Sequence, residues 1–292
     1  MTELHQAYLM AGAAALCWGF VVIFPKLTDV PGHLGIPIAM ATGAITMFLL
    51  AGDDIQLLAR LSYGELGMFA LTGTLQFTVG STLYYEAIRR GDVSVTVPIT
   101  RLKVLPILFL SIAAGLETFS WPLLGACLLV VAGGMLLGAP HPKAEPAARY
   151  RHWVSVALAI GVCMCWAVGE TLIGTLPKHI PAVATNFMLL SCGLVTYVIY
   201  AVASGAWRDV LNMPGRGIWC YMGHGLVSFA LAYTLFVRAI QIAGPPRTVC
   251  ITSAYPLIAA LVGWIVFKER FAKTLAAGAL LLATGVALLQ FV

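Results

Sequence analysis

Apolar residues run along this chain in long unbroken blocks, and the polar residues fall in the short gaps between them. A membrane-crossing helix needs roughly 20 apolar residues. Blocks of that size predict ten helices, at 7–24, 36–52, 64–88, 93–113, 122–139, 153–175, 183–204, 217–239, 247–267 and 275–292. The blocks do not alternate polar with apolar residues as barrel strands do, which argues against a β-barrel. No gap is long enough to hold a soluble domain. The longest polar stretch, Pro140 to His152, divides the chain into 1–139 and 153–292, with 140–152 as a linker. Residues 1–6 lack a basic start, so the first block reads as a retained helix and not a cleaved signal.

The second half of the pattern repeats the first. Moving 152 positions along brings Ala87-Ile88 onto Ala239-Ile240, Thr96 onto Thr248, Ile99-Thr100 onto Ile251-Thr252, Glu117 onto Glu269 and Gly133 onto Gly285. Earlier in each half, Cys17-Trp18 matches Cys165-Trp166 at a shift of 148. A duplicated membrane chain places its substrate site between the repeats, near the bilayer midplane. The pattern therefore points to a transporter.

Composition fits lipid as the solvent. Apolar residues make up 60% of the chain, charged residues 10%, and mean hydropathy is +0.92. Soluble domains average about 25% charged residues. The net charge of +5 is not a nucleic-acid footprint, because Lys and Arg sit in loops at helix ends. With loops assigned alternately to two sides, eleven of the 17 basic residues share one side. The other side has Arg60, Lys178, Arg238 and Arg247, and Arg101 and Lys103 lie inside a helix. The positive-inside rule places the eleven in the cytoplasm and both termini outside.

The seven cysteines lie in apolar blocks and form no Cys-x-x-Cys pair; the six histidines form no metal-spaced motif. No cofactor or metal is expected. His224, alone of the histidines in a helix interior, reads first as an interhelical hydrogen-bond partner.

Ala14 to Gly19 with Lys26, Gly91-Asp92-Val93-Ser94 with Pro98-Ile99, Tyr255 to Leu261, and Phe267 to Phe271 resemble the EamA type of the drug/metabolite transporter superfamily. Each motif is weak by itself; two copies at matching spacing make the resemblance specific, over nearly the whole length. It implies an all-α integral membrane fold of ten transmembrane helices, arranged as two inverted five-helix repeats. It also implies a central cavity lined by helices 1–4 and 6–9, with helices 5 and 10 behind. Gly125, Gly133, Gly134 and Gly138, and Gly278 and Gly285, agree with close packing of those last two. The sequence departs from the family twice. The family most often keeps its termini inside, and Val104 stands where Pro256 stands in the second repeat, with Pro106 two residues later.

Arg101 and Lys103 are the sharpest chemical signals. They fall about 12–15 Å into helix 4, near the bilayer centre. A charge there costs roughly 2.5–3.5 kcal/mol on insertion scales, so each needs a cavity or a partner. Residues two apart point to different sides of a helix, so one is expected to face a ligand and the other to be paired. Capture of a carboxylate or phosphate competes with a structural ion pair. Glu170 shares a helix face with Trp166. It is available to exchange a proton, bind an amine or neutralise Arg101 or Lys103. Glu86 is within reach of Arg101 across the helix 3–4 hairpin. Trp18 and Trp166 are repeat mates set mid-helix, where they wall a cavity or simply pack. Gln76, Tyr84, Thr100, Ser253 and Tyr255 complete the candidate substrate-binding set, with Ser228 and Tyr233 as further polar positions. Lys103 and Tyr255 are repeat mates, as are Arg101 and Ser253. Glu117 and Glu269, in turns, are expected to cap or pair locally.

The reading is a secondary transporter, not an enzyme, moving a small anionic or zwitterionic metabolite such as an amino acid or organic acid by alternating access. Its partners are a small-molecule substrate and the lipid bilayer, with no nucleic acid; it works as a monomer, in a bacterial-type inner membrane. No nucleotide-binding motif is present, which excludes ATP drive from this chain. The alternative within transport is export of cationic or aromatic compounds, coupled to protons through Glu170. Receptor, channel and intramembrane enzyme are the readings from other classes; the last would need paired aspartates or a Ser/His pair at membrane depth, and no Asp lies at mid-helix depth and no HExxH motif occurs.

Overall fold

The computed structural model of the chain describes residues 2–21, 23–90, 99–137, 148–267 and 273–291. The Gly91-Asp92-Val93-Ser94 turn with Pro98, most of the 140–152 linker, Gly138 and Glu269 lie outside them, as do the side chains of Lys26, Arg149 and Arg151. Among the described residues every regular element is helical and no strand occurs.

The helices follow the apolar blocks. Among the described residues the longer helical stretches of the first half are α1 (Glu3–Phe20), α2 (Gly32–Ala51), α3 (63–90), α4 (Val104–Ala113, entered through a helical turn at 99–101) and α5 (Trp121–Leu137). The second half gives α6 (Ala148–Thr175), α7 (Ala182–Ser204), α8 (Gly215–Ala243), α9 (Pro245–Thr252 and Tyr255–Phe267) and α10 (Lys273–Leu288). Among the described residues four stretches are long and apolar enough to cross a membrane: Leu34–Leu58, Trp153–Thr175, Ala182–Ser204 and Gly215–Ala243. Trp121–Leu136 and Ala276–Leu288 are shorter apolar helices.

Local chemistry sets the helix ends. Ser62 and Glu65 form a reciprocal capping box at the start of α3. Gly205 closes α7 in the left-handed conformation, and Gly244 turns at φ 80° so that Pro245 can begin α9.

Lipid supplies no hydrophobic drive between helices, so small residues decide how they pack. α5 and α10 run antiparallel in close contact: a Cβ at Gly133 would lie 2.7 Å from the Gly278 carbonyl oxygen, and one at Gly285 2.9 Å from that of Ala126. The expected glycine surfaces are thus present, except that Gly134 turns to the stem of Arg101. α2 and α7 also run antiparallel, with Phe48 stacked 5.6 Å from Phe187 at one end and Gly193 against Met40 at the other. Helices then cross between the halves. Gly193 lets α7 approach Phe77 of α3, and Gly43 lets α2 approach Phe229 of α8; in each case an added Cβ would stand 2.8 Å from the phenylalanine Cβ. These two contacts are counterparts, and Phe77 and Phe229 touch each other at 5.5 Å.

The continuous helices expected at 64–88, 93–113, 217–239 and 247–267 are each interrupted near their middle. α3 contains a π-helical stretch at Thr74–Val79 and α8 one at Gly225–Ala232. α4 is broken at Leu102–Lys103 and α9 at Ser253–Ala254. Each pair of interruptions matches to within one residue at the 152-residue shift.

Candidate functional site

The four interruptions surround one polar cluster. Proline explains two of them. Pro106 and Pro256 have no N–H to donate, and the turns beside them close with shorter-range bonds, Leu105 N to Leu102 O before Pro106 at 3.1 Å and Leu257 N to Ala254 O across Pro256 at 3.0 Å. The two prolines differ by two positions in register, yet the breaks align. The π stretches widen their turns and offer main-chain carbonyls to side chains. Trp166 Nε1 donates to the Gln76 carbonyl at 3.2 Å, and Asn186 Nδ2 to that of Phe229 at 2.7 Å.

Because α4 is broken at Lys103, Arg101 and Lys103 are released from a common helical phase. Lys103 pairs with Glu170 on α6, and both are buried, at 8% and 3% exposure. The same Glu170 oxygen, Oε1, accepts from Gln76 Nε2 at 3.3 Å, while Oε2 is buried with no partner in the protein. Arg101, 2% exposed, donates through Nη2 to the Tyr255 hydroxyl and, at 3.2 Å, to Thr100 Oγ1. Its guanidinium lies 4.3 Å from the centre of the Tyr255 ring, and its Nε has no partner. Among the described residues no carboxylate pairs with Arg101. Glu86 instead pairs with Arg90 one turn along α3, at 2.5 Å.

Aromatic walls flank these charges on both sides and match between the repeats. Trp166 stands 5.4 Å from Tyr84 and 5.1 Å from Lys103 Nζ. Trp18 stands 5.3 Å from Phe236 and 6.3 Å from Tyr255. Phe236 is the repeat mate of Tyr84, and Tyr255 that of Lys103, so the scaffold is duplicated and the charges are not. Ser253, at the break in α9, is buried and spends its hydroxyl on its own helix, donating to the Val249 carbonyl at 2.7 Å. Of the candidate set, Gln76, Thr100, Arg101, Lys103, Glu170 and Tyr255 form the polar cluster, and Trp18, Tyr84 and Trp166 its walls. His224 keeps Nδ1 unpaired beside Tyr221 and Phe229, away from the cluster.

Sequence reading placed too little weight on several contributors. Tyr233 packs 4.8 Å from Phe77, and its buried hydroxyl lies beside Gln76 and within electrostatic reach of Glu170. Cys163, one turn before Ala167 on α6, lies within electrostatic reach of Lys103, Glu170 and Arg101. Gly80 and Gly169 make the room for Trp166 and Gln76; a Cβ at Gly169 would lie 2.6 Å from Gln76 Oε1. The Phe77–Phe229 contact was readable from the repeat shift itself.

A second ion pair joins the halves at one end of the molecule. Glu117, in the turn after α4, accepts from Arg247 at the start of α9 at 3.1 and 3.3 Å. It also receives the local Thr118 N–H at 3.2 Å, so it both caps locally, as expected, and reaches across.

Comparison with known proteins bears on the family and the fold. The model of the EamA-like transporter family matches residues 5–139 and 153–291. An uncharacterized transporter of Archaeoglobus fulgidus is 23% identical over 291 residues, covering 96% of each chain. A solved crystal structure superposes with a TM-score of 0.75 at 16% identity, over 98% of this chain and 97% of that one, a likeness of fold.

Proposed function

We propose, from the premise that this chain belongs to the EamA-like transporter family of membrane transporters, that it moves a small anionic metabolite by alternating access past the cluster around Arg101. The observation that carries this reading is the state of the guanidinium. It is buried between the two halves, held by neutral hydroxyls from Thr100 and Tyr255, and has an Nε–H to spare. A buried cation without a counter-ion is costly, and an incoming carboxylate or phosphate supplies one with fork geometry that arginine matches.

In this reading the chain crosses the membrane ten times, as two inverted five-helix repeats, 1–139 and 153–292. The antiparallel contacts of α2 with α7 and of α5 with α10 support inversion, since helices exchanged by an in-plane twofold must run oppositely. The broken helices provide adjustable walls at the midplane, the usual place of a transporter's site. The chain acts as a monomer in a bacterial-type inner membrane, with the basic loops in the cytoplasm. A zwitterion also reaches these groups, with its ammonium at the unpartnered Glu170 Oε2, but without net charge it leaves that of Arg101 uncancelled. The cationic-substrate alternative asks the ligand to displace Lys103 from Glu170, and nothing then neutralises Arg101.

The test is counterflow in proteoliposomes with a panel of labelled metabolites. Accumulation of one or more organic anions, and not of organic cations, is the expected result. Accumulation of cations alone would overturn the anion reading.

A further inference from the structure

We propose that the central site is built to carry one net negative charge, and that Glu170 sets this number by cancelling Lys103. The inference rests on the anion reading above and adds the valence of the substrate to it.

The argument is a count of fixed charges. Among the described residues, three ionisable side chains of full charge meet in the cluster: Arg101, Lys103 and Glu170. Lys103 and Glu170 are in direct contact, and their sum is zero whichever of the two holds the shared proton. Arg101 has no carboxylate partner among the described residues and keeps its charge. The groups that complete the surroundings, Gln76, Thr100, Tyr84, Tyr233, Tyr255, Trp166 and the Cys163 thiol, are neutral. The empty site therefore stands at +1, and a monoanion brings it to zero. A dianion leaves an uncompensated negative charge in a low-dielectric interior. A neutral or zwitterionic ligand leaves the arginine charge in place. Either mismatch costs several kcal/mol in a medium of low dielectric.

The repeat relation sharpens the role of Glu170. At equivalent positions the other halves carry Tyr255 for Lys103, Ser253 for Arg101 and Val22 for Glu170. Two cations were placed in the first repeat, and one acid in the second, on a duplicated scaffold. With both cations and no acid, the same cavity would match a dianion. Glu170 is thus the specificity-determining residue for substrate charge, acting through Lys103.

The experiment uses the purified full chain in proteoliposomes at neutral pH, with labelled lactate, succinate and alanine as probes of charge −1, −2 and 0. Wild-type protein should take up lactate at least about tenfold better than succinate, and better than alanine. Glu170→Gln leaves Lys103 free to meet a second carboxylate, so the succinate-to-lactate ratio should rise at least about tenfold. The double variant Lys103→Met/Glu170→Gln removes both members of the pair, returns the count to +1 and should restore the wild-type ratio. Lys103→Met alone brings the count to zero and should lose lactate relative to alanine, which keeps a readout if Glu170→Gln does not fold. A Glu170→Gln protein with the wild-type ratio, or a double variant that still favours succinate, overturns the proposal. So does a wild-type preference for succinate or alanine. If the wild type takes up none of the three while organic cations accumulate, the anion reading itself fails, and the valence inference falls with it.

Discussion

Lys103 on α4 and Glu170 on α6 form a buried ion pair that joins the first half of the chain to the second at the level of the helix breaks. Burying two charges is expensive, and their mutual contact offsets that cost only while both are present. Either single neutralisation, Lys103→Met or Glu170→Gln, should destabilise the protein by about 3–5 kcal/mol, because it strands one charge. The double variant should recover most of the loss. Melting temperatures of the three purified variants check this; equal melting of all three would show that the contact contributes nothing.

Gly169 faces Gln76 so closely that a methyl group cannot be added without moving the carboxamide. Gly169→Ala should break the 3.3 Å bond from Gln76 to Glu170 at an overpacking cost of about 1–3 kcal/mol. Transport should fall several-fold while the protein still purifies as a folded monomer. Unchanged transport would mean that the Gln76 contact is dispensable.

Glu117 and Arg247 tie the α4–α5 turn to the start of α9, and the repeat mate of Arg247 is Val95, so the counterpart pair cannot form at the other end. Glu117→Gln weakens a charge-assisted, partly buried contact by about 1.5–3 kcal/mol. It should raise the reactivity of a cysteine introduced at Ser120 beside it. Reactivity equal to that of wild-type background would show that this end is not held shut by the pair.

Much of the architecture was legible from the apolar pattern, because lipid forces long helices and short loops on the sequence. Most helix ends among the described residues fall within a few residues of the expected blocks, the start of the fourth block lying outside them, and Trp18 and Trp166 occupy matching niches as their shared Cys-Trp motif implied. The interruptions were not legible. A π turn leaves no composition signal at Thr74–Val79, and the breaks in α4 and α9 align although Pro106 and Pro256 do not. The choice between Arg101 and Lys103 as the partner of Glu170 was equally hidden: it depends on the phase lost at the Leu102–Lys103 break. Glu86 looked available to Arg101 in sequence, but a closer partner, Arg90, lies on the same helix face.

The loop charge bias predicts that the linker between the halves lies in the cytoplasm. A single cysteine introduced at Lys143, in a background lacking the native seven, should resist a membrane-impermeant maleimide in intact cells and react after permeabilisation. Ready labelling of intact cells would reverse the orientation.

Arg101 carries the central claim, and its two conservative tests separate charge from geometry. Anion counterflow in proteoliposomes should be abolished in Arg101→Gln and strongly reduced in Arg101→Lys, which keeps the charge but loses the fork. Both proteins should retain wild-type elution and melting behaviour. If Arg101→Gln and Lys103→Gln each carry the anion at the wild-type rate, the cluster between the helix breaks does not hold the substrate, and the account is wrong.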